Sequence, residues 1–375
     1  MTSATVLYIM EEKSAQQEPV RIVSDAAWKI SVRRIYKMAE PETLNSYKII
    51  IFCDSPFYDG ELRIIRRKYM KYAIIGAGGT GGTLGFYLTK AGKDVTLIAR
   101  GKHLEAIQKN GLTIERLWDK NTETLSVKAS SEEKYQETPD VVLLCVKGYS
   151  VESTIPLIKK IAGKDTVVIP ILNIYGTGGK LQKQLPELTV TDGCIYVSAN
   201  IKEPGVLLQH GSILRVVFGT RTPEEETEKM HEIAADMKSD DITVILSDDI
   251  KRDAMTKFSY VSPAGTAGLY CNAVAGDFQK EGESREVFKE LIREIVALSH
   301  GMGIEFQEDL VERNMKILSD LPPETTTSMQ RDVLAHHQSE MDGLVYEVVR
   351  LGRKYGVPLP TYEKAAKYFR EHVEQ

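Results

Sequence analysis

The stretch MKYAIIGAGGTGGTLGFYLTKAGKDVTLIAR, Met70 to Arg100, decides the fold. KYAII is a short apolar run of the kind found in strands buried on both faces of a parallel sheet. It leads directly into Gly76-Ala77-Gly78-Gly79-Thr80-Gly81, which fits the pattern GxGxxG. In that pattern the first glycine permits a tight turn and the second lets phosphates approach the backbone. The third lets the following helix pack closely on the strand. TLGFYLTKAG continues with helical spacing at Leu84 and Leu88, and Gly92 supplies a stop. DVTLIA is the second strand. A glycine pattern alone is a weak signal, but strand, glycines, helix and strand in this order are a strong one. They predict an α/β domain that takes a dinucleotide at the N-terminus of its first helix.

Flavin and NAD versions of this unit share the glycines and place an acid at the tip of the second strand, on the ribose hydroxyls. Here the tip is Arg100, followed by Gly101, Lys102 and His103. A carboxylate there repels a 2′-phosphate, whereas a guanidinium pairs with it. NADPH/NADP is therefore the expected cofactor, held by Gly76, Ala77, Gly78, Gly79, Thr80, Gly81 and Arg100.

The whole chain has 375 residues, 42% hydrophobic and 27% charged, enough for two domains with their own cores. Its net charge of −5 gives no basic field for nucleic acid or an anionic membrane. No apolar run reaches the ~20 residues that span a bilayer. Cys53, Cys145, Cys194 and Cys271 form no CxxC pair and no cluster with histidine, so no metal site is expected. Reduced thiols in a cytoplasmic protein are the expectation. Residues 1–69 differ from the rest. They fit neither a transit peptide nor a secretory signal, KIIIFC (Lys48–Cys53) has the pattern of a strand, and RIIRRKYMK (Arg63–Lys71) is a basic cluster. This segment is expected to be an extension outside the folded core, read from an upstream start, with the fold beginning at Met70.

Beyond Arg100, DVVLLCVK (Asp140–Lys147) and TVVIPILN (Thr166–Asn173) read as buried strands, with a helix over STIPLIKKIAG between them. Lys147 and Asn173 stand at carboxyl ends of strands, where open α/β sheets bind ligands. CIYVSANIKEPGVLLQHGSILRVVFG reads as strands around a Glu-Pro-Gly turn. SDD (Ser247–Asp249) suits a helix cap, and from there the pattern is helical to the end. The expected domains are therefore 70–247, α/β, and 248–375, all-α. Pro263, Gly265 and Gly268 predict a kinked helix after the boundary, placed to present Lys257 toward a cleft. A long helix is predicted from about Thr327 to Tyr355, with Leu334, Met341, Leu344, Val345 and Val348 as its apolar stripe and Ser328, Asp332 and Glu340 off it.

From Met70 onward the chain resembles the ketopantoate reductase (2-dehydropantoate 2-reductase) family. The resemblance rests on IIGAGGTGG with Arg100, LLCVKGYSVESTIPLI, LNIYGTGG, RDAMTKF, SMQRD and SEMDGLVYEVVRLGRKYGV, in that order and spacing. It implies an N-terminal Rossmann-type NADP-binding domain, an all-α C-terminal domain and an active site between them. It also implies reduction of 2-dehydropantoate to pantoate with NADPH, on the route to pantothenate and coenzyme A. Matched position by position, Lys257 is the catalytic lysine, and Lys147, Asn173 and Glu340 face both cofactor and substrate. Ser328 holds substrate, and Asp332 is an acid of the same helix. This sequence departs from the family where asparagines usually follow the lysine, carrying Val261, Gly265 and Ala275 instead, and GLVY (Gly343–Tyr346) replaces YING.

Those departures leave three readings: reduction of ketopantoate, reduction of another 2-oxo acid on the same scaffold, and a non-catalytic NADPH-binding regulator. The partner expected in the first two is a small 2-oxo acid, and apolar helices in the second domain are compatible with a homodimer. The choice of cofactor is testable by itself. Arg100→Ala should weaken NADPH binding roughly ten- to a hundredfold, the loss of one charged hydrogen bond of about 1.5–3 kcal/mol. NADH binding should hardly change; equal losses in a fluorescence titration would contradict the assignment.

Overall fold

The computed structural model describes residues 32–39, 47–53, 65–66 and 70–373, the first three stretches as backbone alone. The chain divides into two compact units, Met1–Tyr69 and Met70–Gln375. In the first, β1 (Val32–Ala39), β2 (Tyr47–Cys53) and β3 (Ile65–Arg66) form an antiparallel sheet with β2 in the middle. The strand expected at Lys48–Cys53 is β2. The expectation that residues 1–69 stand outside the core, and most of the basic cluster, lie outside the described residues.

The second unit opens with β4 (Lys71–Ile75), α1 (Gly79–Lys90), β5 (Asp94–Ile98), α2 (Gly101–Asn110), β6 (Leu112–Arg116), β7 (Thr122–Leu125) and β8 (Lys128–Ser130). It continues with β9 (Val141–Leu144), α3 (Val151–Ile161), β10 (Val167–Pro170), α4 (Thr177–Gln184), β11 (Thr189–Val190) and β12 (Asp192–Tyr196). Next come β13 (Ala199–Glu203), β14 (Val206–Gln209), β15 (Arg215–Gly219), α5 (Glu228–Met237) and β16 (Thr243–Leu246). The main sheet has the order β11-β10-β9-β4-β5-β8, and every pair in it is parallel. All side chains of β9 and β10 are buried, which is why these strands read as unbroken apolar runs rather than alternating ones. The chain runs outward from β4 to β8, then returns to β9 and runs the other way. That reversal puts the switch point, where such sheets bind ligands, between β4 and β9. Gly76 has φ +98°, and a Cβ on Gly81 would lie 2.0 Å from the Gly76 carbonyl oxygen, so the turn and the strand–helix contact both need glycine.

After β16 the described residues are helical or loop: α6 (Ile250–Tyr270), α7 (Ala275–Gln279), α8 (Glu283–Gly301), α9 (Leu310–Ser319), α10 (Ser328–Leu334), α11 (Glu347–Tyr355) and α12 (Pro360–His372). Asp249 caps α6 by accepting from the Arg252 N–H at 3.1 Å. Glu294 of α8 is buried and accepts from the Thr361 and Tyr362 N–H groups at the start of α12, docking one helix on another. One expectation needs correction. The long helix from Thr327 to Tyr355 is two helices, because His336 takes φ +53°, which no right-handed helix accommodates. Leu334, placed in the apolar stripe, is 68% exposed, while Met341, Leu344, Val345 and Val348 are buried beyond the break. A π turn at Asp342–Tyr346 reopens the helix before α11.

The expected helix around Pro263 is α6, which runs through the proline as one element. Proline has no N–H, so the Ser259 carbonyl loses its helical partner. Asn314, wholly buried on α9, supplies the missing donor: its Nδ2 reaches the Ser259 carbonyl at 2.9 Å and the Ser259 Oγ at 3.0 Å. Replacing Asn314 by alanine leaves that carbonyl buried without a donor. The variant should lose about 1–3 kcal/mol of stability, read as a lower urea midpoint with an unchanged slope.

Candidate functional site

The glycine turn presents an open helix end. Gly78 is the N-cap of α1, no side chain caps it and no acid occupies the first turn, so the first N–H groups are left for a ligand. A Cβ on Gly78 would meet nothing within 4 Å, so the turn is open on that side. His103 holds the turn from α2. Its Nδ1 accepts from the Gly205 N–H at 3.0 Å, which requires the ring proton on Nε2, and Nε2 lies 2.9 Å from the Ala77 carbonyl. Burial lowers the pKa of this histidine, keeping it neutral in that tautomer. The sequence showed His103 only as a residue following Arg100 and carried no signal of the bond to Ala77. Arg100 is the exposed N-cap residue of α2 and has no carboxylate partner among the described residues. Open N–H groups at the start of α1 and the guanidinium at the tip of β5 are groups that could hold the phosphates of a dinucleotide.

Four of the polar residues singled out from the sequence, Lys147, Asn173, Asp332 and Glu340, gather around Lys257. Lys147 lies three residues past the end of β9, and Asn173 three past β10, so each stands beyond rather than at its strand end. Lys257 sits on α6, 8% exposed, and its Nζ donates to Asn173 Oδ1 at 2.8 Å. Burial lowers its pKa, and the nearby Cys194 and Glu340 act in the opposite direction. Glu340, 5% exposed in the break between α10 and α11, accepts from the Gly148 N–H at 3.0 Å and faces Lys147 Nζ at 3.4 Å. Asp332 of α10 takes the same ammonium at 2.8 Å. Burial alone lowers the Lys147 pKa, but these two carboxylates outweigh it and raise it. The two acids thus form a clasp between the ends of the parallel strands and the helical half. Apolar packing reinforces it: a Cβ on Gly148 or on Gly343 would collide with the Ile174 side chain, which fills both spaces.

Ser328 is the first residue of α10 and half-buried, next to the capping Thr327. Its neighbour Met329 fills the space beside Gly265, where a Cβ would lie 2.8 Å from the methionine Cε. Of the other departures, Val261 packs against the helical core and Ala275 is buried at the start of α7. Sequence reading missed Cys194 and Tyr196 on β12. Cys194 lines a narrow crevice with Asn173, Tyr175 and Lys257, and the Tyr196 ring centre lies 5.9 Å from Lys257 Nζ. The strand pattern of CIY was visible, but not the face it turns to α6. Among the described residues no cluster of side chains could hold a metal ion, and no helix is long and apolar enough to cross a membrane.

Comparison with known proteins gives concordant results. The family model described as "Ketopantoate reductase PanE/ApbA" matches residues 72–223, and its C-terminal counterpart matches residues 249–372. A 2-dehydropantoate 2-reductase of Mesorhizobium japonicum is 29% identical over 318 residues, covering 78% of this chain and 95% of its own. An uncharacterized oxidoreductase of Bacillus subtilis, YkpB, is 25% identical over 295 residues, covering 78% and 96%. The crystal structure of a PanE/ApbA family ketopantoate reductase from Ralstonia eutropha JMP134 superposes with a TM-score of 0.72 at 26% identity, covering 80% of this chain and 98% of that one.

The electrostatic arrangement around Lys257 can be measured without turnover. Its ammonium should titrate below the ordinary 10.5 of a lysine, because burial disfavours the charged form. Glu340→Gln removes a charge that favours the ammonium, so the midpoint should fall further. Heteronuclear NMR of the lysine side chains, assigned with Lys257→Met, follows both. An unmoved midpoint in the glutamine variant would show that Glu340 does not act on Lys257.

Proposed function

This chain belongs to the ketopantoate reductase family, and we propose that it reduces 2-dehydropantoate (ketopantoate) to (R)-pantoate with NADPH, in the biosynthesis of pantothenate and coenzyme A. The observation that carries this reading is Lys257, a buried cation held by Asn173 beyond the carboxyl end of a central parallel strand. The bound nicotinamide supplies the hydride. Lys257 stabilises the negative charge that develops on the carbonyl oxygen and then donates its proton there. Its lowered pKa suits it to give up that proton nearer neutral pH than a free lysine would. Asn173 aims the ammonium by accepting one of its protons, leaving the others for the substrate. Glu340 holds positive potential on Lys257 and offers a carboxylate to a substrate hydroxyl, while Lys147 fixes that carboxylate in place. The Ser328 hydroxyl is the proposed donor to the substrate carboxylate.

A specific observation favours a second reading, reduction of another 2-oxo acid by the same residues. The space beside Gly265 holds the thioether of Met329 rather than an amide, so this wall of the α6–α10 contact is apolar. An apolar wall favours a substrate side chain without hydroxyl groups there.

NADPH oxidation followed spectrophotometrically against ketopantoate and a panel of branched and aromatic 2-oxo acids separates these readings. Saturable turnover with ketopantoate alone supports the first, and a different preferred acid supports the second. Silence with every acid would leave a non-catalytic NADPH-binding protein. With the preferred acid, Lys257→Ala should cut kcat by about 10²–10⁴ and leave NADPH binding intact. Persistent turnover in that variant would assign the proton to another group.

A further inference from the structure

An open groove with about 530 Å³ of accessible space adjoins this site and shares Tyr196 with it. That is within the usual range of roughly 300–1,000 Å³ for pockets that take a small molecule. Its lining includes Tyr196 of β12, Arg215 of β15, Arg252 of α6, Phe306 and Glu308 ahead of α9, and Arg313 of α9. Lys257 is buried and does not line it.

The three guanidiniums in this cavity are not equivalent. Arg252 is ringed by acids, with Asp248 at 2.9 Å, Asp253 at 3.5 Å and Asp249 at 3.7 Å. Arg313 pairs with Glu308 at 3.1 Å. Arg215 has no carboxylate partner among the described residues; its guanidinium lies over the Tyr196 ring, 5.7 Å from the centroid. Stacking on an aromatic face holds the planar fork while its N–H donors stay available. Such a fork matches the two oxygens of a carboxylate or phosphate. Phe306 offers an apolar surface in the same cavity.

We propose that this cavity binds a small organic anion, with its carboxylate or phosphate paired to Arg215 and its apolar body between Tyr196 and Phe306. The bound charge then sits one aromatic ring away from Lys257, because the Tyr196 ring approaches both cations. This binding does not depend on which acid the enzyme reduces, or on turnover at all.

Calorimetric titration of the full chain, saturated with NADP, tests it with three probes sharing one ring: benzoate, phenyl phosphate and the neutral benzyl alcohol. One or both anions should bind with a single site per chain, the tighter one identifying the preferred anionic group, and benzyl alcohol should not. Arg215→Gln and Phe306→Ala should each weaken anion binding about tenfold or more, the loss of one charged contact or one apolar wall. Lys257→Ala should leave it in place. The proposal is overturned if neither anion binds, if benzyl alcohol binds as well as they do, if binding survives Arg215→Gln undiminished, or if it is lost in Lys257→Ala.

Discussion

An ammonium group removed from water has to be met by oxygen, and the middle of this molecule is arranged around that requirement. Lys257 is buried and, among the described residues, donates one hydrogen bond, to the amide oxygen of Asn173. A neutral amide offsets only part of the desolvation of a cation, which is why burial prevails and the pKa of the lysine falls. Further compensation comes from Cys194 and, from further away, the buried Glu340, both of which favour the ammonium. That carboxylate would itself be costly to bury if Lys147 and the Gly148 N–H did not meet it. Lysine, glutamate and lysine are therefore one electrostatic system, with members on α6, in the break between two helices, and beyond β9.

The fold serves this system by bringing the ends of parallel strands against a helical layer. β9 and β10 end side by side in the main sheet, so Lys147 and Asn173 emerge near one another despite 25 intervening positions. On the helical side, the interruption after α10 turns the chain so that Asp332 and Glu340 both reach Lys147. Had the chain stayed helical through His336, residues 332 and 340 would lie about 12 Å apart along one axis, too far to share one ammonium. The break that removes Leu334 from the apolar stripe is thus also what completes the ionic clasp.

Close packing narrows the same region. Ile174 occupies the space next to Gly148 and Gly343, and Met329 the space next to Gly265. A methyl group added at Gly148 or Gly343 would displace Ile174, and one at Gly265 would push aside the flexible end of Met329. Asn314 answers a different problem, the carbonyl that Pro263 leaves without a donor, and in doing so joins α9 to α6 at Ser259, two residues from the central lysine.

The dinucleotide-binding half was legible in the sequence because its constraints are local. A buried parallel strand demands an unbroken apolar run, a tight turn against a helix demands glycine, and Arg100 follows the second strand by counting. The order of the motifs likewise singled out Lys257, Asn173, Lys147 and Glu340 as candidates. Which of them touch was decided by tertiary structure alone. The pairing of Lys147 with Asp332 and Glu340 spans 185 and 193 positions, and the donor that completes α6 at Ser259 comes from 55 residues away. The break at His336 is of the same kind. Helical periodicity continues across it in the sequence, and the chain leaves the helix only because its two halves face different neighbours, a demand set by packing that no local pattern of residues records.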